Sequence, residues 1–303
     1  MTHKALRAAA ALVAATALAL APDAAAQTDD ATWTPPETLF KYPTVPDTMS
    51  TLESRTNYLI THFWENFDLS KPIRDSIGFD SAFRDYIDLF RYAHRTVVFS
   101  SINDFMNKAQ SNTANMIFII GVVESALYSA GAAYWSDEVY LPFIKFFVDS
   151  KVIKNEYKLR YKEQITAIEN TPVGAAPPDF TITKTDKSKV KLSDISGWTL
   201  IYFNEPDCFD CTLTRLRLST DSNISLLVDS GQITVVSVCP GGYSAEWASE
   251  AASMPENWIN GYCQDIDQTY DIRLVPSFYL LDKDHKIVNK NMALTDVQAL
   301  LGQ

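Results

Sequence analysis

The spacing of apolar positions along the chain changes once, near residue 172. From about Pro46 to Asn170, apolar side chains return every three or four residues, the repeat of helices that bury one face. Tyr58, Leu59, Phe63 and Phe67 form one such stripe, with His62, Glu65 and Asn66 set among them. Phe83, Ile87, Phe90 and Arg91 belong to a second, which runs on past Val97 and Val98 toward Phe105. Two more helices are predicted over about 138–152 and 155–169. The stretch from Met116 to Ala133 is apolar on nearly every side, but Glu124 sits near its middle. A carboxylate at that depth is costly in lipid, and Gly121, Ala126 and Ala130 offer small surfaces to a neighbouring helix. A buried helix of a bundle is therefore predicted there. Residues 48–170 read as an all-α domain, with a Pro-rich lead-in over 27–47.

A linker rich in Pro and Gly, residues 171–179, closes this region. Beyond it the pattern becomes one of short continuous apolar runs. Thr199–Asn204, Gln232–Cys239 and Ser277–Leu281 have the length and composition of buried strands. Phe180–Lys184 and Lys189–Leu192 flank the turn 185–188, and helical stretches fall at about 208–218 and 244–254. Strands alternating with helices predict an α/β domain over 180–303.

Composition agrees with two folded domains. The 303 residues are 47% hydrophobic, enough to fill real cores, and a domain takes roughly 100–200 residues. A net charge of −11 opposes phosphate neutralisation, so nucleic acid is not an expected partner. At the N-terminus, Lys4 and Arg7 precede an apolar run from Ala8 to Ala21, and Ala24-Ala25-Ala26 offers a small-residue cleavage site. That is the pattern of a secretory signal over 1–26, and its run falls short of the ~20 residues a membrane span needs. The mature chain would begin at Gln27 with no integral span, in the periplasm or outside the cell, where disulfides can form.

Four cysteines are too few for a disulfide scaffold, and all lie in the α/β region, at 208, 211, 239 and 263. Cys208-Phe209-Asp210-Cys211 directly follows the run Leu200–Phe203 and opens a helical segment. Two intervening residues let the sulfurs close a small ring, and a helix N-terminus favours the thiolate that attacks a disulfide. The competing readings are half of a zinc site and two unrelated core cysteines. Zinc needs four ligands at suitable spacing; the only histidines are His3, His62, His94 and His285, with no His-x-x-x-His pair. No metal is expected.

With the motif in place, residues from about Val173 to the C-terminus resemble thioredoxin-like proteins of the TlpA/ResA type from bacterial envelopes. APPDFTITKTDKSKVKLSDISGW resembles that family's first strands and approach to the core strand, and DIRLVPSFYLLDKDHKIV its second half. The resemblance implies a central mixed sheet with helices on both faces. It puts Pro276, after Val275, at the position of a cis-proline against the sulfurs, and makes both residues substrate contacts. It also implies a thiol–disulfide oxidoreductase acting on protein disulfides, supplied by an upstream electron-donor redox protein, with no cofactor. Cys208 would attack and Cys211 resolve. The helical domain resembles the domain of unknown role that precedes such modules in some envelope proteins.

The departures are specific. Asp207 stands where thioredoxins have Trp. Tyr202 replaces their buried acid, and Thr214 the acid that ResA-like proteins carry after the second cysteine. Glu205, Asp207 and Asp210 crowd the motif with carboxylates; like charge disfavours a thiolate, so they are candidates for tuning its pKa, and Glu205 for accepting a proton. The expected direction is reducing. A peroxidase is disfavoured, since Pro206 lies only two residues before Cys208 and position 205 is not Thr. Cys239 and Cys263 end neighbouring strands in the TlpA arrangement, so a structural disulfide between them is the leading expectation, with a second redox pair or free thiols as alternatives. The rival to the enzyme is a non-catalytic envelope binding protein whose CxxC is only structural.

Overall fold

The computed structural model describes residues 38–133 and 135–302. The expected signal segment 1–26, and the lead-in as far as residue 37, lie outside the described residues. The chain divides into two compact units at Leu159/Arg160.

The first unit is all-helical: α1 (Leu52–His62), α2 (Ser76–Asp88), α3 (Arg95–Ala109), α4 (Thr113–Leu127) and α5 (Asp137–Asp149). Thr51, Asp75, Asn112 and Ser136 each accept a backbone N–H in the first turn of the helix they cap. The stripe expected to run from Phe83 past Val97 is broken at Ala93. There His94 caps α3 instead, its N–H bound to Asn57 Oδ1 at 2.8 Å. The core is aromatic. Trp64 stacks on Phe79 with centroids 5.2 Å apart and tilts against Phe105 at 4.9 Å. Phe40, from the lead-in, packs against Phe63, Trp64 and Phe67. A buried polar chain pins three helices, as Tyr86 Oη meets Ser101 Oγ at 2.6 Å and Ser101 Oγ donates to Ile60 O. The apolar run around Glu124 ends its helix at Leu127, and no helix among the described residues is long and apolar enough to cross a membrane.

The second unit opens with α6 (Leu159–Asn170), a helix whose periodicity groups it with the first region. Seven strands follow: β1 (Thr181–Thr183), β2 (Lys189–Lys191), β3 (Trp198–Phe203), β4 (Ile233–Cys239), β5 (Ile259–Tyr262), β6 (Ser277–Leu281) and β7 (Ile287–Met292). Their order is β2-β1-β5-β4-β3-β6-β7, with β3, β4 and β5 parallel and the remaining pairs antiparallel. This is the thioredoxin-like mixed sheet. Alternation along the strands feeds two cores. Leu200, Tyr202, Val235 and Phe278 face α7 (Phe209–Thr220), α8 (Ser222–Asp229) and α10 (Leu294–Leu301). Ile201, Phe203, Val236, Val238 and Tyr279 face the other way, where the 3-10 helices Leu192–Asp194 and Ile266–Gln268 cover the sheet. A further helix, α9 (Ala245–Ala251), connects β4 to β5. At Gly261 the strands approach so closely that an added Cβ would meet Ile182 Cγ2 at 2.4 Å and Thr183 O at 2.6 Å.

One buried ionic cluster holds the segment that leads into β6. Asp271, fully buried, accepts from Arg273 Nη2 at 2.9 Å, Lys290 Nζ at 2.8 Å and Asn291 Nδ2 at 3.2 Å. Burial works to raise this carboxyl, but Arg273 and Lys290 outweigh it and hold it below the usual carboxylate range. A depressed pKa stabilises the fold above the unfolded value near 4, and that contribution is lost as pH falls through the folded value. Asp271→Asn is expected to destabilise the second unit by about 3–5 kcal/mol at neutral pH, because two cations stay buried beside a neutral amide. Denaturant titrations at neutral and acid pH check this: the gap between wild type and variant should narrow on acidification.

Candidate functional site

The site forms where the central strand ends. Beyond Phe203, Asn204 continues the ladder through its N–H to Val238 O at 3.1 Å, and its side chain donates to Ser237 Oγ at 2.8 Å. The chain then turns outward through Glu205 and Pro206 to Asp207, whose φ of 58° is left-handed. Cys208 follows as the N-cap of α7. The left-handed residue reverses the chain so that the helix starts at once, with the first cysteine at its positive end.

Cys208 and Cys211 are joined in a disulfide, with Cα atoms 5.2 Å apart. The two sulfurs differ in setting. Cys211 is buried, 3% exposed, whereas Cys208 is half-buried beside Phe209, which is 78% exposed. Cys211 N–H points at Cys208 Sγ at 3.1 Å, so a thiolate formed on Cys208 would meet a ready donor. Below the pair, Tyr202 Oη donates to Cys211 O at 2.6 Å. Burial pushes the Tyr202 hydroxyl far up, so it stays a donor throughout the physiological range. The residue standing where the family has an acid thus holds the backbone of the second cysteine.

The register Phe203↔Ser277 brings the Val275–Pro276 bond, which is cis, to the same sheet end. Glu205, Asp207 and Asp210 are all exposed, and none has an ion-pair partner among the described residues.

Cys239 and Cys263 do not form the expected bridge. Both are free thiols, Cys239 buried and Cys263 partly so. They do sit at one sheet end, since Cys263 N–H donates to Cys239 O at 3.1 Å. The pairing, however, sets Cys239 opposite Tyr262, one residue out of step with Cys263. Side chains alternate along strands, so that single step sends the two sulfurs to opposite faces of the sheet. Cys263 packs into the core around Val236 and Val238, while Cys239, by the alternation along β4, falls on the face of Ile233 and Val235, with its Sγ 3.9 Å from Gly242 O. Burial raises both thiols above their ordinary range; for Cys239, the charges of Glu205 and Glu250 add to it.

Two features have no local signal in the sequence. Glu250, on α9, accepts the Asp207 N–H at 3.0 Å from 43 residues away. The cluster around Asp271 reaches 19 residues to Lys290. In the helical unit the candidate polar residues stay peripheral: His62 Nδ1 lies 2.6 Å from Glu65 Oε1 on the surface, and His94 is a cap. No group of three or more His, Cys, Asp or Glu among the described residues is arranged to hold a metal ion.

A family model described as a domain of unknown function, DUF5106, matches residues 19–171. The crystal structure of a thioredoxin-like protein from Bacteroides caccae shares the fold, with a TM-score of 0.76 and 23% identity over 88% of this chain and 99% of that one. A thiol:disulfide interchange protein from a Bacteroides species aligns at 20% identity and TM-score 0.37, over 44% of this chain and 93% of its own. The thioredoxin domain of a thiol-disulfide oxidoreductase from Bacteroides vulgatus aligns at 22% identity and TM-score 0.36, over 43% and 98%. No curated protein matches.

Tyr202→Phe tests the support beneath the second cysteine. Loss of the hydroxyl removes the side-chain donor to the Cys211 carbonyl, an expected cost of about 0.5–1.5 kcal/mol. Chemical denaturation of the disulfide-bonded variant beside wild type measures it.

Proposed function

The chain belongs to the DUF5106 family, and from that membership, joined to the thioredoxin-like unit that follows, we propose that it is a thiol–disulfide oxidoreductase acting on protein disulfides in the cell envelope. One observation carries the reading: a half-exposed Cys208 at a helix N-terminus, facing the N–H of its buried partner Cys211. That asymmetry separates an attacking sulfur from a resolving one.

In the reduced protein the Cys208 thiolate attacks one sulfur of a substrate disulfide. A bond forms from Cys208 Sγ to that sulfur, the substrate S–S bond breaks, and the departing thiolate takes up a proton. Cys211, as its thiolate, then attacks Cys208 Sγ. The Cys208–Cys211 bond forms, the mixed disulfide breaks, and the second substrate sulfur leaves to be protonated. Two electrons and two protons have passed to the substrate. The protein is left with the disulfide seen in the structure, for a donor dithiol protein to reduce.

Val275 and Pro276 are assigned to substrate docking, because they lead into β6 at the sheet end where the sulfurs lie and offer backbone against which an extended chain can pair. The reducing direction is assigned on Glu205, Asp207 and Asp210, which oppose a stable thiolate at Cys208. An envelope location is assigned on the signal pattern of residues 1–26.

The test is insulin reduction with dithiothreitol, together with Cys211→Ala expressed in cells. Wild type should precipitate insulin chains, Cys208→Ser should abolish the activity, and Cys211→Ala should accumulate mixed disulfides through Cys208. No turnover and no trapped partner would instead favour a binding protein with a structural CxxC.

A further inference from the structure

Among the described residues, a carboxylate from a distant helix reaches the backbone of the turn that leads into the motif. Glu250 Oε1 accepts the N–H of Asp207, the left-handed residue one peptide unit before Cys208. We propose that Glu250 is the positioning residue for the attacking thiol: it clamps the turn that presents Cys208, and its carboxylate sets the charge that Cys208 meets when the disulfide opens. The proposal rests on Cys208 being the reactive sulfur.

Three observations support it. The turn has little else to hold it, since Glu205 and Asp207 are exposed and Pro206 has no N–H to give. A left-handed non-glycine residue costs free energy and persists only where its surroundings fix it. Glu250 supplies such a tie from α9, and an ionised acceptor makes that hydrogen bond stronger than a neutral one would. Finally, Glu250 lies within electrostatic reach of both Tyr202, whose hydroxyl holds the Cys211 carbonyl, and Cys239 at the end of β4. It is therefore at the site and not merely at one end of its loop.

The charges around it can be enumerated by element. The β3–α7 turn contributes Glu205 and Asp207, α7 contributes Asp210 in its first turn and Arg215 further along, and α9 itself carries Glu246 one turn before Glu250. Tyr202 on β3 and Cys239 on β4 are both pushed up by burial and stay neutral. With Glu250 ionised the local field is negative, which disfavours the Cys208 thiolate and makes the reduced pair the better electron donor.

Two variants separate the clamp from the charge. Glu250→Gln keeps an acceptor oxygen for Asp207 N–H and removes the charge; Glu250→Ala removes both. In the reduced full chain, the rate of iodoacetamide alkylation at Cys208, assigned by peptide mass mapping, is followed against pH, and insulin reduction is measured alongside. Glu250→Gln should lower the midpoint of Cys208 alkylation by about half a pH unit or more and, as the poorer electron donor, lose some insulin reduction, but less than Glu250→Ala. Glu250→Ala should show the same lowered midpoint with about a tenfold loss of insulin reduction, the scale of a lost hydrogen bond to a charged group. A wild-type alkylation profile in Glu250→Gln overturns the proposal, even if Glu250→Ala fails to fold. Wild type that reacts at Cys208 but does not reduce insulin would sink the oxidoreductase reading alone, because the alkylation profile still reads Glu250.

Discussion

The second unit depends on the pairing of its central strand. β3 runs parallel to β4 on one side and antiparallel to β6 on the other, and both registers end at Phe203, opposite Val238 and Ser277. That double pairing sets where the chain must leave the sheet, and everything chemical is gathered there. The outgoing turn delivers Cys208 to the start of α7, and the incoming segment delivers Pro276 to the start of β6. A slip of one residue in either register would turn Tyr202 from the face beneath α7 to the opposite core and remove the donor that holds the Cys211 carbonyl.

What was legible in the sequence was local. The apolar runs at Thr199–Asn204 and Ser277–Leu281 match β3 and β6 almost residue for residue, since buried central strands admit little but apolar side chains. The CxxC announced its setting because strand, turn and helix start are contiguous in the chain. The cysteine pair at 239 and 263 is not legible in the sequence, for a definite reason. Both residues end neighbouring strands, as expected, but strand ends say nothing about which face a side chain takes, and the register decided that. Glu250 was invisible for another reason: a half-buried acid on a short helix reads like any surface acid until the fold carries it to Asp207.

The helical unit is stabilised differently. Its core is a continuous set of rings, in which Trp64 alone lies within 6.0 Å of the ring centroids of Phe40, Phe63, Phe67, Phe79, Tyr86 and Phe105. Rings of that size bury large areas and add edge-to-face and stacked contacts. The helices that carry them are short, so their stability comes from packing more than from propensity. The Asn115 side chain, bound to Leu69 O and Lys71 O at 2.7 Å, shapes the connection between α1 and α2 in the same economical way.

The separation of Cys239 from Cys263 has a consequence whenever the molecule meets an oxidant. The β-sheet acts as a partition between two thiols that are near neighbours along its edge. While it is intact, an oxidant cannot join them, and the Cys208–Cys211 disulfide does not have to compete with a second ring. Once the strands part, nothing keeps those sulfurs from each other. A covalent link between residues 239 and 263 would therefore record that a given molecule had opened, until a thiol reduced it.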